Sequence, residues 1–149
     1  MHANKKEGII MSEQNKALMR RAIEEVWNRE NFAILKEIVA SDFVIHASTP
    51  EAEIHGTEGA KQFVTMLHNA IPDIHFVIAD QVAEGDRVVT RWIAHGTHMG
   101  ELMGIPPSGK QVILTATDID RIANGKVVEC WTTLDGAAMM QQMGLLLGV

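Results

Sequence analysis

Apolar positions Leu18, Ala22 and Val26, with Met19, Ile23 and Trp27 beside them, recur every four residues from Glu13 onward and predict an amphipathic helix. Residues 1–11 show no sustained period and are expected to form a loosely ordered tail, with Ser12 suited to cap the helix that follows. Asn31 is placed to cap a second, shorter helix carrying Phe32, Leu35, Ile38 and Val39. Ser41-Asp42 then breaks the period, and Phe43-Val44-Ile45-His46 reads as a short strand. A third helix starts at the cap candidate Thr57 and buries Ala60, Phe63, Val64 and Leu67. It stops before Ile71-Pro72, because the residue preceding a proline avoids the helical region.

In the second half the period changes to two. Segments 74–83, 87–95, 111–122 and 126–134 are rich in Val, Ile, Thr and Trp and predict four long strands. Asn124-Gly125 is a strong hairpin signal, and Gly85 supplies the positive φ that the first connection needs, so the sheet is expected to be antiparallel. A final stretch, about 136–147, is apolar on nearly every side and predicts a helix that closes or pairs with something. Helices first and a meander afterwards describe one α+β domain, residues 12–149, with helices on one face of a curved sheet. Such curvature leaves a pocket between the layers, lined by alternate strand residues.

Composition narrows the function classes. The 149 residues suit a single core, and 46% hydrophobic against 21% charged residues exclude bulk disorder. A net charge of −6 disfavours nucleic acid and anionic lipid as partners. Cys130 is the single cysteine, so no internal disulfide can form. No apolar run approaches a membrane span, and the stretch after Lys5-Lys6 is too short for a signal segment, so a cytoplasmic location is expected. Seven histidines raise the question of a metal, but no His-x-His or helical His-x-x-x-His pair occurs, and His95 and His98 leave a strand end on opposite faces; no metal is expected.

Several phrases go further. The helix Asn15-Lys16-Ala17-Leu18-Met19-Arg20-Arg21, the strand Phe43-Val44-Ile45-His46, the segment from Gly96-Thr97-His98-Met99-Gly100 through Ile105-Pro106-Pro107-Ser108-Gly109-Lys110, and Asp118-Ile119-Asp120-Arg121-Ile122-Ala123-Asn124-Gly125 with the following Lys126-Val127-Val128-Glu129-Cys130-Trp131 make a set. With the element order, this set resembles the SnoaL-like polyketide cyclases of the cone-shaped nuclear-transport-factor-type superfamily. The resemblance implies a barrel-like, curved antiparallel sheet with the N-terminal helices on its concave face. It also implies an intramolecular aldol ring closure without metal or organic cofactor. The key acid of those cyclases lies in the last strand, directly after the position of Trp131, where this chain has Thr132. Threonine cannot take up a proton from a carbon acid near neutral pH, which argues against the aldol mechanism here.

Strand parity sorts the remaining candidates. Asp118 and Asp120 share a face with Leu114 and Ala116, while Ile119 and Arg121 point the other way. The resemblance places Asp118 in the cavity, where apolar walls raise a carboxyl pKa and fit it for general acid or base work. Asp120, nearer the Asn-Gly turn, is expected within reach of solvent. The structural alternative is that Asp118 accepts hydrogen bonds from a neighbouring strand or orients His46. His46 matches the family's histidine at the mouth and could shuttle a proton with Asp118; His98 could do so or simply satisfy its loop. Trp92, on the face of Thr90 and Ala94, Thr132 and the adaptable Met103 complete the expected substrate-binding set, with Trp131 on the opposite, interface face. The loop 99–109 either covers the mouth or braces the strands. The expected activity is cofactor-free acid–base chemistry on a small hydrophobic carbonyl compound, in a homodimer. A non-catalytic small-molecule-binding or dimerisation domain is the alternative.

Overall fold

A computed structural model of the chain describes residues 2–47 and 52–145. Helix α1 spans His2–Arg21 and continues as a wider π-helical turn over Ala22–Asn28. The expected tail therefore needs correcting: residues 2–11 extend the first helix, and Ser12 lies inside it rather than capping it. No proline interrupts this stretch, and adding residues to an existing helix is far cheaper than nucleating one. A 3-10 turn at Phe32–Ile34 leads into α2, Leu35–Ile38, and then β1, Val39–His46. A two-residue β2, Ile54–His55, precedes α3, Gly56–Ala70.

The four predicted strands form as β3 (His75–Glu84), β4 (Arg87–Thr97), β5 (Gln111–Ala123) and β6 (Lys126–Leu134), followed by α4, Gly136–Gln142. The helix stops at Gln142, short of the expected reach to residue 147, because Gly144 takes positive φ, +82°; residues 146 and 147 lie outside the described residues. The sheet order is β2-β1-β6-β5-β4-β3. The long strands pair antiparallel, while β1 lies parallel to β6, so the six-stranded sheet is mixed and does not close. Asn124 and Gly125 both take positive φ, +52° and +73°, which matches the twist of a two-residue hairpin between β5 and β6.

Helices cover the concave face. Asn28 is clamped to the backbone of Phe76 in both directions, its amide donating at 3.0 Å and its carbonyl accepting at 2.7 Å, which ties the end of the π turn to β3. His68 of α3 donates from Nε2 to the Trp27 carbonyl at 2.7 Å. Asp135 caps α4 by accepting from the Ala138 N–H at 3.0 Å, and Gln142 grips both backbone groups of Ile113. Two buried clusters result. One gathers Met19, Val26, Ile38, Phe43, Val64 and Val127 under α1 and α2, and the other gathers Leu67, Ile71, Phe76, Ala94, Leu102 and Met139 around the 98–110 loop. Gly100 is needed where that loop meets α3: a Cβ there would sit 2.5 Å from the Asn69 carbonyl oxygen and 3.1 Å from the Ala70 Cα.

Candidate active site: an apolar cavity with a buried acid pair

The open centre of the cone is a cavity of about 650 Å³. Trp27, Phe63, Phe76 and Trp92 form its aromatic wall, in edge-to-face pairs with ring centroids 5.3–5.8 Å apart. Ile23, Ile45, Leu67, Leu114, Leu134 and Met139 add aliphatic surface. No lysine, arginine or histidine lines the cavity among the described residues; Asp118 is its one carboxyl group.

Asp118 reaches the cavity because β5 alternates: Leu114, Ala116, Asp118 and Asp120 face inward, and Ile113 and Ile119 stand exposed on the outer face. Its carboxylate is held on both oxygens. Thr132 Oγ1, directly opposite on β6, donates to Oδ1 at 2.6 Å, and Trp92 Nε1, on β4, donates to Oδ2 at 2.9 Å. Burial raises the Asp118 pKa, and these two donors pull part of that rise back. Three expected site residues, Asp118, Trp92 and Thr132, are thus brought together in one hydrogen-bonded group.

Asp120 corrects an expectation. It is 3% exposed, deeper than Asp118 rather than near solvent, because the turn end of β5 is covered by α1 and α2. Burial, with the charge of Asp118 adding to it, pushes its pKa up to about 8, opposed by a hydrogen bond from Cys130. The Cys130 thiol is itself pushed well above its usual value, by burial first and then by the two acids, so it is no ready nucleophile. Ligand atoms of Asp118, Asp120 and Cys130 lie within 4.8 Å of one another. This set does not fit a divalent cation: both Asp118 oxygens are taken by neutral donors, and the thiol resists deprotonation.

His46 and His98, also expected at the site, are placed elsewhere. His46 faces away from the cavity, since its strand neighbours Ile45 and Ala47 line it. Its ring stacks on Trp131 at 5.5 Å and bonds to Glu129 at 2.7 Å and Glu53 at 2.8 Å, which raise its pKa, Glu129 most. The structure does not join His46 to Asp118, and the reason is the period of two along β1. His98 is fully buried in its loop, with Nδ1 2.9 Å from Ser108 Oγ, and is not among the cavity-lining residues. Met103 does line the cavity. It sits with Gly104 at positive φ on a tight turn closed by Leu102 and Ile105, whose buried side chains anchor the loop. Asp120 and Cys130 are the members that sequence reasoning underrated. Parity put Asp120 on the right face, but its depth depends on which helices lie above that end of the strand.

An open, curved sheet covered by N-terminal helices around a central cavity defines the cone-shaped α+β class. The sequence profile of the SnoaL-like polyketide cyclases matches residues 17–143, and the chain belongs to that family. Solved structures agree. A protein of Jannaschia sp. CCS1 assigned as a SnoaL-like polyketide cyclase is 25% identical, with a TM-score of 0.81 over 91% of this chain and 94% of its own. TsrD from Streptomyces laurentii is also 25% identical, with a TM-score of 0.80 over 89% of this chain and 96% of its own. IdmH from Streptomyces antibioticus, assigned as a polyketide cyclase, is 31% identical, with a TM-score of 0.75 over 88% and 99%. No protein among the curated ones matches the chain. None of the described helices is long and apolar enough to cross a membrane.

Proposed function

We propose that this protein is a cofactor-free acid–base enzyme acting on a small, uncharged, hydrophobic carbonyl compound, with Asp118 removing a proton from the carbon beside the carbonyl. The observation that carries this reading is Asp118, the single carboxyl group among the described residues that meets an otherwise apolar cavity, fixed by Trp92 and Thr132. A base in such a site has the raised pKa that proton abstraction requires and is not consumed by water. The absence of cations from the described lining favours a neutral substrate over a phosphate or carboxylate, whose charge would be left unpaired.

Thr132 takes on a different meaning here. It stands where related cyclases carry their acid, and its cross-strand partner is Asp118, 2.6 Å away. The acid has in effect moved one strand over, and Thr132 orients it. Thr132 therefore does not by itself bar aldol-type ring closure, and enolisation followed by carbon–carbon bond formation is chemistry that Asp118 can start and finish. The outer face of the sheet, with Val77, Val82, Ile113 and Ile119 exposed, is proposed as the contact surface of a homodimer.

Deuterium uptake from D2O at the α-carbon of hydrophobic ketones and β-keto esters, followed by proton NMR, tests the enzyme reading without knowledge of the product. Uptake should depend on the protein and fall by at least about a hundredfold in Asp118→Asn. Binding of these compounds with no uptake in the wild type would make the cavity a binding site only.

A further inference from the structure

We propose that Asp118 and Asp120 form a dyad holding one proton between them, in which Asp120 is a positioning residue that keeps the proton while Asp118 meets the substrate as the carboxylate. The proposal rests on the reading of Asp118 as the base and adds a role for a residue that does not reach the main cavity.

Four observations carry it. The two carboxyls project from the same face of β5, two residues apart, with ligand atoms within 4.8 Å, in surroundings otherwise lined by Met19, Ala22, Val26, Ile38 and Val127. Like charges so placed cannot both be stable without a cation, and no lysine, arginine or histidine lines either cavity among the described residues. The titratable group facing the pair from β6 is Cys130; β4 contributes Thr90 and Trp92, and the helices contribute apolar side chains.

The donors are unevenly divided. Asp118 receives a hydroxyl and an indole N–H, whereas Asp120 receives a thiol and has one oxygen, Oδ2, with no partner among the described residues. The negative charge therefore settles on Asp118 and the proton on Asp120. Independently, the Thr90 hydroxyl, 1% exposed and without a partner among the described residues, borders the same void of about 50 Å³ as Asp120. An unmet neutral hydroxyl there is tolerable, but an unmet anionic oxygen would be much more costly. The strong upward shift of the Asp120 pKa agrees with this assignment.

The consequence for catalysis is electrostatic. When Asp118 takes a proton from the substrate carbon, the C–H electron pair passes into the enolate and the dyad becomes neutral. The Asp120 proton stays in place throughout. Were Asp120 ionised instead, an anion would remain behind the developing enolate and resist it.

The test is carbon-13 NMR of the full chain with aspartate carboxyls labelled, titrated from pH 4 to 10. The wild type should show two steps belonging to the pair, separated by at least about two pH units. In Asp118→Asn, the Asp120 step should move down by about one unit or more, because its charged neighbour is gone. Where that variant does not fold, Thr132→Val serves: loss of the donor should raise the lower step and leave the upper one in place. Three results would each overturn the proposal: an Asp120 step that ignores Asp118→Asn, a lower step that ignores Thr132→Val, or micromolar Zn2+ erasing both steps. The readout is protonation rather than turnover, so failure of the enzyme reading in the deuterium-uptake assay would be seen separately.

Discussion

Replacing Asp120 with asparagine should stabilise this protein in mildly alkaline solution and not in mildly acidic solution. The acid is 3% exposed, and its folded pKa lies at about 8 against 3.8 for the ordinary side chain. Between those values the native state keeps a proton that the unfolded chain has released. Stability due to this group is therefore complete below the unfolded value, falls as pH rises, and levels off above the folded value. Each pH unit within that window removes about 1.4 kcal/mol, so the three units from pH 5 to pH 8 cost the wild type about 4 kcal/mol. Asparagine does not titrate and escapes this loss. Its amide adds an unmet buried N–H worth about 1–3 kcal/mol at every pH, and the wild type has already lost about 1–2 kcal/mol by pH 5, so the two proteins should be nearly equal at pH 5 and the variant clearly the more stable one at pH 8. Asp118 titrates in both proteins and largely cancels. Urea unfolding at pH 5, 6, 7 and 8 gives the difference directly, and an offset between the two proteins that stays constant with pH would refute the reasoning.

Thr132→Asp should place a second carboxyl beside Asp118, raise the pH at which the last proton of that pair leaves, and lower stability by several kcal/mol at pH 8, read by urea unfolding. His46 sits between Glu129 and Glu53 with its pKa raised, so its contribution is complete below about pH 6.5 and is lost as pH rises through the folded value. The stability difference between the wild type and His46→Gln should accordingly shrink on going from pH 6 to pH 9, while deuterium uptake is unaffected. Gly100→Ala drives a Cβ against the Asn69 carbonyl and should cost about 1–3 kcal/mol in thermal or urea unfolding. Sedimentation at micromolar concentration should give a species about twice 16.4 kDa, reduced to the monomer by Ile113→Glu with Ile119→Glu; a wild-type monomer would refute the dimer.

The alternation of Val, Ile and Thr, the Asn124-Gly125 turn and the four-residue spacing of Leu18, Ala22 and Val26 determined the strands, the hairpin and the helix, because these features depend on neighbours close in sequence. Parity was enough to put Asp118, Asp120 and Trp92 on the inner face and Ile113 and Ile119 on the outer. Continuation of the first helix back to His2 was not legible, since an exposed helical turn carries no hydrophobic period. Nor was the parallel pairing of β1 with β6, which joins segments about 85 residues apart through contacts that leave no local mark. Tertiary structure alone decided that Thr132 lies opposite Asp118, that His46 faces Glu129 rather than the cavity, and that α1 and α2 seal the turn end of β5. That last packing event makes Asp120 a buried acid, because the depth of a strand residue is set by what covers its face and not by its distance along the chain from a turn.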